Sequence, residues 1–222
     1  MKPVALHNHS YYSLLDSTMA PGEIVEAAAE CGMTAVGLTD RDTLAGAVEF
    51  YKKARAAGIH PVLGCEITVA LSAEKTAPER IRLFVENAEG YRNLCRLLTA
   101  RIEHPDGVRP DHLNRFRHGL ICLASEENLL YREIYGRNFA LEINSNSEAD
   151  RRRARRLAER GRRLRIPVAA AFHAHYRKPQ DRLLYDILAS MRTLTLLKQS
   201  HPDKHADGDY HFPSPDEIQR HF

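Results

Sequence analysis

No apolar stretch in this 222-residue chain approaches the roughly 18 residues that a membrane-spanning helix needs. The N-terminus also lacks the basic region and apolar core of a secretion signal. A cytoplasmic protein with no membrane partner is therefore expected. The four cysteines, Cys31, Cys65, Cys95 and Cys122, lie about thirty residues apart and form no CxxC pair. That spacing excludes a zinc ribbon and a small disulfide framework, and predicts reduced, buried thiols. Net charge is only +3, which by itself says little about nucleic acid. No GxGxxG follows the first apolar segment, which argues against a dinucleotide-binding open sheet.

What is present is the composition of an ordinary globular protein, 43% hydrophobic and 27% charged, at a length one large α/β domain can fill. Short apolar segments at 4–9, 34–39, 61–71, 80–86, 119–124, 138–144 and 167–172 read as seven strands. Helical periodicity over 21–31, 44–57, 89–101, 126–135, 148–165 and 180–192 fills most of the gaps, with Gly32 and Gly58 closing the first two helices. Alternating strands and helices predict parallel pairing through right-handed crossovers, in a single domain over 1–222. The expected fold is a distorted seven-strand, TIM-like α/β barrel. The turn-rich polar residues beyond about 193 predict an extended tail, leading toward a further region.

Twelve histidines are an unusual share for this length. His104, His112, His118, His201, His205, His211 and His221 lie in polar, punctuated stretches and read as exposed. The others include two His-x-His pairs, His7 with His9 and His173 with His175. On extended backbone such a pair sends both imidazoles to one face. Asp40, Glu66 and Asn144 also stand at or near strand ends, and in parallel barrels the carboxyl ends of strands gather the active site. Imidazole nitrogen with carboxylate oxygen suits a zinc-type site that lowers the pKa of water to about 7, a chemistry suited to phosphoester hydrolysis. Asp40 could instead cap the helix that begins near Leu44, whereas Glu66 in an apolar strand calls for a ligand or ion-pair role.

Leu6-His7-Asn8-His9-Ser10, Ser13-Leu14-Leu15-Asp16, Leu38-Thr39-Asp40 and Gly64-Cys65-Glu66 resemble the polymerase and histidinol phosphatase (PHP) domain. The likeness is closest to the N-terminal PHP domain of bacterial DNA polymerase III alpha subunits of the error-prone type. Gly90-Tyr91-Arg92-Asn93-Leu94-Cys95, Gly119-Leu120-Ile121, Leu141-Glu142 and Arg192-Thr193-Leu194-Thr195-Leu196-Leu197 carry that narrower match. The resemblance implies a distorted seven-strand barrel, up to three metal ions, and phosphoester hydrolysis or 3′-5′ exonuclease activity. It also implies a DNA or phosphate-ester substrate, and other polymerase domains or replication subunits as partners. Nothing resembling the three polymerase carboxylates is present, so nucleotide polymerisation is not expected of these residues.

Carried over by position, the resemblance assigns a first metal to His7, His9, Glu66 and His173, the last standing where the family usually has Asp. A third metal would use Asp16 and His175, but its middle position is Arg41 where the family has His. A guanidinium cannot be a ligand and is expected to pair with Asp16. The second metal's positions correspond to Glu126 and Asn146. One zinc or manganese ion rather than three is the expectation, with Asp40 or His175 as proton carrier and Arg41 steadying phosphate charge. The alternative is an inactive structural module of a polymerase, its polar cluster held by ion pairs. Nine arginines within 151–165 could contact nucleic acid or a polymerase domain, or could simply form a solvated outer helix.

Overall fold

The computed structural model describes residues 3–71, 79–125, 129–205 and 207–222. In chain order the elements are β1 (His7–Asn8), α1 (Pro21–Glu30), β2 (Ala35–Leu38), α2 (Ala47–Ala56), β3 (His60–Val69), β4 (Glu79–Val85), α3 (Ala88–Glu103), α4 (Pro110–Arg115), β5 (Leu120–Ala124), α5 (Leu129–Tyr135), β6 (Phe139–Ile143), α6 (Glu148–Leu164), β7 (Val168–Ala170), β8 (His173–Ala174), α7 (Arg182–Thr193) and α8 (Pro215–His221). The result is an α/β fold around a curled sheet.

Two features differ from the expected seven-strand barrel. The ladder runs through six strands in the order β2-β3-β4-β5-β6-β7, while β1 pairs with β8, and the Ala5–Val36 bridge and the Thr39 amide, which donates to the Asn8 carbonyl, link the two parts. The last predicted strand, 167–172, is observed as β7, which pairs with β6, and a further short strand, β8, follows it and pairs with β1. In addition, β4 runs antiparallel to both β3 and β5. Only residues 70–78 separate β3 from β4, fewer than the dozen or so that a parallel crossover needs. The remaining ladder pairs are parallel, as the alternation predicted.

The elements start and stop for local reasons. Pro21 occupies the first turn of α1, and Gly32 and Gly58, at φ +65° and +71°, release the chain after α1 and α2. Asn87 caps α3 by accepting from the Gly90 amide at 3.0 Å, and Ser147 and Asp150 cap α6 reciprocally. Apolar faces of α3, α5 and α6 cover β3 to β6 through Leu94, Leu97, Tyr131 and Leu157, while α1 and α2 cover β2 through Ile24, Ala28, Phe50 and Ala54. Cys65 and Cys122 are buried and Cys31 and Cys95 half-buried, all of them free thiols. Among the described residues no helix is long and apolar enough to cross a membrane.

The tail does not extend away. Residues 202–204 form a turn, Tyr176 bridges to His211, and Tyr210, Phe212 and Ile218 are buried. Lys204, also buried, donates to the carbonyls of Leu196 at 2.6 Å and Gln199 at 2.9 Å. Three apolar side chains spaced through polar sequence gave no periodic signal, yet they suffice to dock this segment.

Gly90 and Gly119, both within the segments that carried the family resemblance, meet where α3 crosses the start of β5. A Cβ on Gly90 would lie 1.8 Å from the Gly119 carbonyl oxygen, and Gly119 itself has φ +71°. Gly90→Ala should therefore lower stability by about 2–3 kcal/mol through forced backbone displacement, read as a fall in the urea midpoint. An unchanged midpoint would contradict this close approach.

Candidate metal centre

β1 and β8 pair in parallel with His7 opposite His173, and the ladder continues as the His9 amide donates to the Ala174 carbonyl at 3.0 Å. Side chains on a strand alternate, so His7, His9, His173 and His175 emerge on one face. Ring centroids of His7 and His173 are 3.4 Å apart, and those of His9 and His175 are 5.0 Å apart. Glu66 enters from β3, with Oε2 at 3.4 Å from His7 Nε2 and 3.6 Å from His173 Nε2. Asp16 arrives from the loop after β1 and Glu142 from β6. His7, His9, Glu66 and His173 form one group whose potential ligand atoms lie within 4.8 Å of one another; His9, Asp16 and His175 form a second.

Hydrogen bonds on the far side of the rings fix their protonation. His7 Nδ1 lies 2.8 Å from Glu142 Oε1, His9 Nδ1 2.9 Å from Asp16 Oδ2, and His175 Nδ1 2.6 Å from the Asp16 carbonyl. These partners can only accept, so each Nδ1 carries the proton and each Nε2 keeps a bare lone pair. The Nε2 atoms of His7, His9, His173 and His175 are all buried without a hydrogen-bond partner. One orphaned buried nitrogen costs about 1–3 kcal/mol, so four facing each other mark a site completed by a further group. The acceptors behind His7 and His9 are the usual support of metal-ligating imidazoles, and the nitrogen and oxygen donors suit zinc or manganese.

Positive side chains complicate the second group. Arg41 lies with Nη2 at 2.8 Å from Asp16 Oδ2 and Nε at 2.9 Å from Glu66 Oε1, so the ion pair expected with Asp16 forms and extends to Glu66. Arg192 from α7 also pairs with Asp16, and Arg82 from β4 pairs with Glu142. Burial, the largest influence, would raise the Glu66 carboxyl. His173, His7, His9 and Arg41 around it outweigh that and hold it well below the usual range. Burial lowers His9 to about 3, with His7 and Arg41 adding to the effect, and holds His173 and His175 well below the ordinary histidine value. All three imidazoles are neutral at pH 7, the form that binds metal.

The remaining predicted residues lie elsewhere in the local network. Asp40 neither caps α2, which starts from Gly46, nor faces the ligand groups. Its oxygens accept from the Ser10 amide at 2.6 Å, the Ser10 hydroxyl at 2.7 Å and the Ser13 hydroxyl at 2.7 Å, so it fastens the 10–13 turn. Asn146 spends its amide on backbone, donating to the carbonyls of His173 and Asp209 and accepting from the His173 amide. Glu126 lies outside the described residues. Sequence reasoning noticed Glu142 and Arg192 only as motif letters and did not mark Arg82. It read His205 as exposed, whereas His205 is half-buried with its ring 5.4 Å from His175, and burial lowers it to about 4. A polar loop gives no signal of such a return, but an inward carboxylate in the strand Phe139–Ile143 could have been flagged.

A curled α/β sheet with two His-x-His pairs and a strand glutamate at one rim defines a recognisable class. The PHP domain profile matches residues 5–160, and the chain belongs to the PHP domain family. Across nearly its whole length it is similar to parts of bacterial DNA polymerases. It is 28% identical to DNA polymerase III subunit alpha of Borreliella burgdorferi, over 97% of this chain and 22% of that protein. It is 29% identical to the error-prone DNA polymerase of Symbiobacterium thermophilum, over 98% of this chain and 23% of that protein. The chain thus spans about a fifth of the length of these relatives. Two solved structures share the fold. One is a Bifidobacterium adolescentis protein whose assignment as a metal-dependent phosphoesterase is itself inferential (TM-score 0.55, 16% identity, 81% of this chain and 91% of that one). The other is an amidohydrolase from Chromobacterium violaceum with bound sulfate and no metal (TM-score 0.54, 15% identity, 78% and 87%).

Two expectations follow. In metal-free protein the three depressed histidines stay neutral when folded but take up protons near pH 6.5 when unfolded. The unfolded chain then binds more protons below pH 6.5, and stability falls with pH by about 1.4 kcal/mol per unit for each histidine. Urea midpoints in chelator should drop steeply from pH 7.5 to 5.5; a flat profile would contradict neutral buried imidazoles. Glu142→Ala removes the acceptor behind His7 and should weaken zinc affinity about 10- to 100-fold, measured by competition with a chromophoric chelator.

Proposed function

We propose that the chain is the PHP domain of a DNA polymerase III alpha-type protein, binding one zinc or manganese ion through His7, His9, Glu66 and His173. Its chemistry is phosphoester hydrolysis, directed at phosphodiesters such as a 3′ DNA end. The observation that carries this reading is the set of buried, partnerless Nε2 atoms on rings whose Nδ1 atoms are tied down. A divalent cation at this position supplies Lewis-acid polarisation and lowers the pKa of water.

The chain's own residues do the rest. Glu142 and Asp16 orient His7 and His9, and Glu66 adds the one carboxylate of the donor set. Arg41, partly open to solvent, is placed to meet a phosphate oxygen and steady developing negative charge. His175 presents a bare Nε2 that can accept a proton in passing, whereas both oxygens of Asp40 already accept hydrogen bonds. The second donor group is unfavourable for a cation, because Arg41 and Arg192 already neutralise Asp16. Multi-metal sites divide water activation and leaving-group stabilisation between ions, so hydrolysis here should be slow.

A second reading rests on those ion pairs. Glu66, Asp16 and Glu142 each have an arginine partner, so the cluster is electrostatically compensated without any cation and could serve only to hold a polymerase module together. Metal analysis after incubation with zinc or manganese separates the readings: about one ion per chain is expected, and less than about 0.2 would favour the structural module. If one ion binds, manganese-dependent nucleotide release from a 3′ DNA end should exceed that of His9→Ala. Equal rates in the two proteins would remove the hydrolytic claim.

A further inference from the structure

The basic charge of this protein is concentrated on one helix. Residues 148–165 hold nine arginines against Glu148, Asp150 and Glu159, a local balance of +6, so the rest of the +3 chain is at −3. In α6 only Leu157 and Gly161 are fully buried, against β6 and β7. Arg151, Arg152, Arg155, Arg156, Arg162 and Arg163 are exposed, and at 100° per residue they share one arc of about 140° on the outer face. Arg152 pairs with Glu148 at 2.6 Å. Among the described residues Arg155, Arg156, Arg162 and Arg163 have no acidic partner.

The basic surface continues past the helix. Arg165, the left-handed residue that ends α6, lines a cavity of about 470 Å³ together with Arg132 and Arg137, and among the described residues no carboxylate lines it. Phe139 and Pro167 in the same wall mark the amino ends of β6 and β7, the rim opposite the histidine cluster. A solvated helix needs no such asymmetry, since it gains more from interspersed signs than from one sign. Self-repulsion among these guanidiniums is relieved only by an anionic partner.

We propose that the outer face of α6, with the Arg132–Arg137–Arg165 cavity at its end, binds the phosphate backbone of duplex nucleic acid. The 17-residue helix is about 25 Å long, and a duplex carries one negative charge per about 1.7 Å of axis, so the charge arrays match in extent. No aromatic residue lies in 148–165, which removes the stacking platforms that single-strand binders use and favours backbone contact without base reading. This surface lies away from the histidine rim and needs no metal there.

Fluorescence anisotropy of the whole chain with a labelled DNA duplex of about 20 base pairs, in EDTA, at about 50–200 mM salt, tests this. The logarithm of affinity should fall linearly with the logarithm of salt. The R155Q/R156Q/R162Q/R163Q variant should bind at least about 10-fold more weakly and flatten that slope by about 2 or more. The corresponding four-lysine variant should keep the slope. Because the four side chains are exposed, circular dichroism and unfolding curves of the glutamine variant should match the parent. Three results would overturn the proposal: no duplex binding by the parent, an unchanged slope in the glutamine variant, or tighter binding of an equal-length single strand. Since every measurement is made without metal, failure here leaves the proposed cation site untouched, and an empty cation site leaves this surface untouched.

Discussion

The parallel pairing of two two-residue strands, β1 and β8, is the contact on which the rest of the site depends. Residues more than 160 positions apart are set in register, His7 against His173, by a ladder of very few hydrogen bonds. So short a pairing is weak alone, and the surrounding packing stabilises it. Ala5, Val36, Leu38, Phe172 and Ala174 are buried together beneath it. Four imidazoles are thereby buried together, and burial makes a charge on His9, His173 or His175 costly.

That burial sets the chemistry. Neutral imidazoles with fixed tautomers and free Nε2 lone pairs are poor proton stores but good ligands. Each of the carboxylates beside them meets an arginine, and Glu66 and Glu142 are held below the usual carboxylate range in spite of their burial. Arg41, Arg82 and Arg192 come from three different elements, and they neutralise Glu66, Asp16 and Glu142 without occupying the space between His7, His9 and His173. His7, His9, Glu66 and His173 are thereby left as one donor group, whereas Asp16 of the other group already meets two arginines. Arg192 also ties α7 to the cluster, so the segment following β8 is part of the site's support.

Arginine serves two ends in this protein. Around the histidines it is buried and paired, so its charge is consumed locally. On α6 Arg155, Arg156, Arg162 and Arg163 are exposed and, among the described residues, without acidic partners, so their charge reaches into solvent within a Debye length. Burial and pairing distinguish the two populations, and the overall charge of +3 conceals both.

The sequence by itself determined the order of the elements other than α4, β8 and α8, the two His-x-His pairs, the strand glutamate and the family, because each of these is local: periodicity, turn residues and spacing are written within a few neighbouring positions. It also implied the Arg41–Asp16 pair, since arginine at a ligand position next to a carboxylate admits few other roles. Only the tertiary structure decided the antiparallel β4, the separate strand β8 and the return of the tail to His175. It alone gave Glu142 and Arg192 their partners and turned Asp40 onto the serines of the 10–13 turn. Those outcomes rest on contacts between residues tens to more than a hundred positions apart. Such contacts are selected by shape, burial and charge compensation in the assembled core, and these leave no period in the chain.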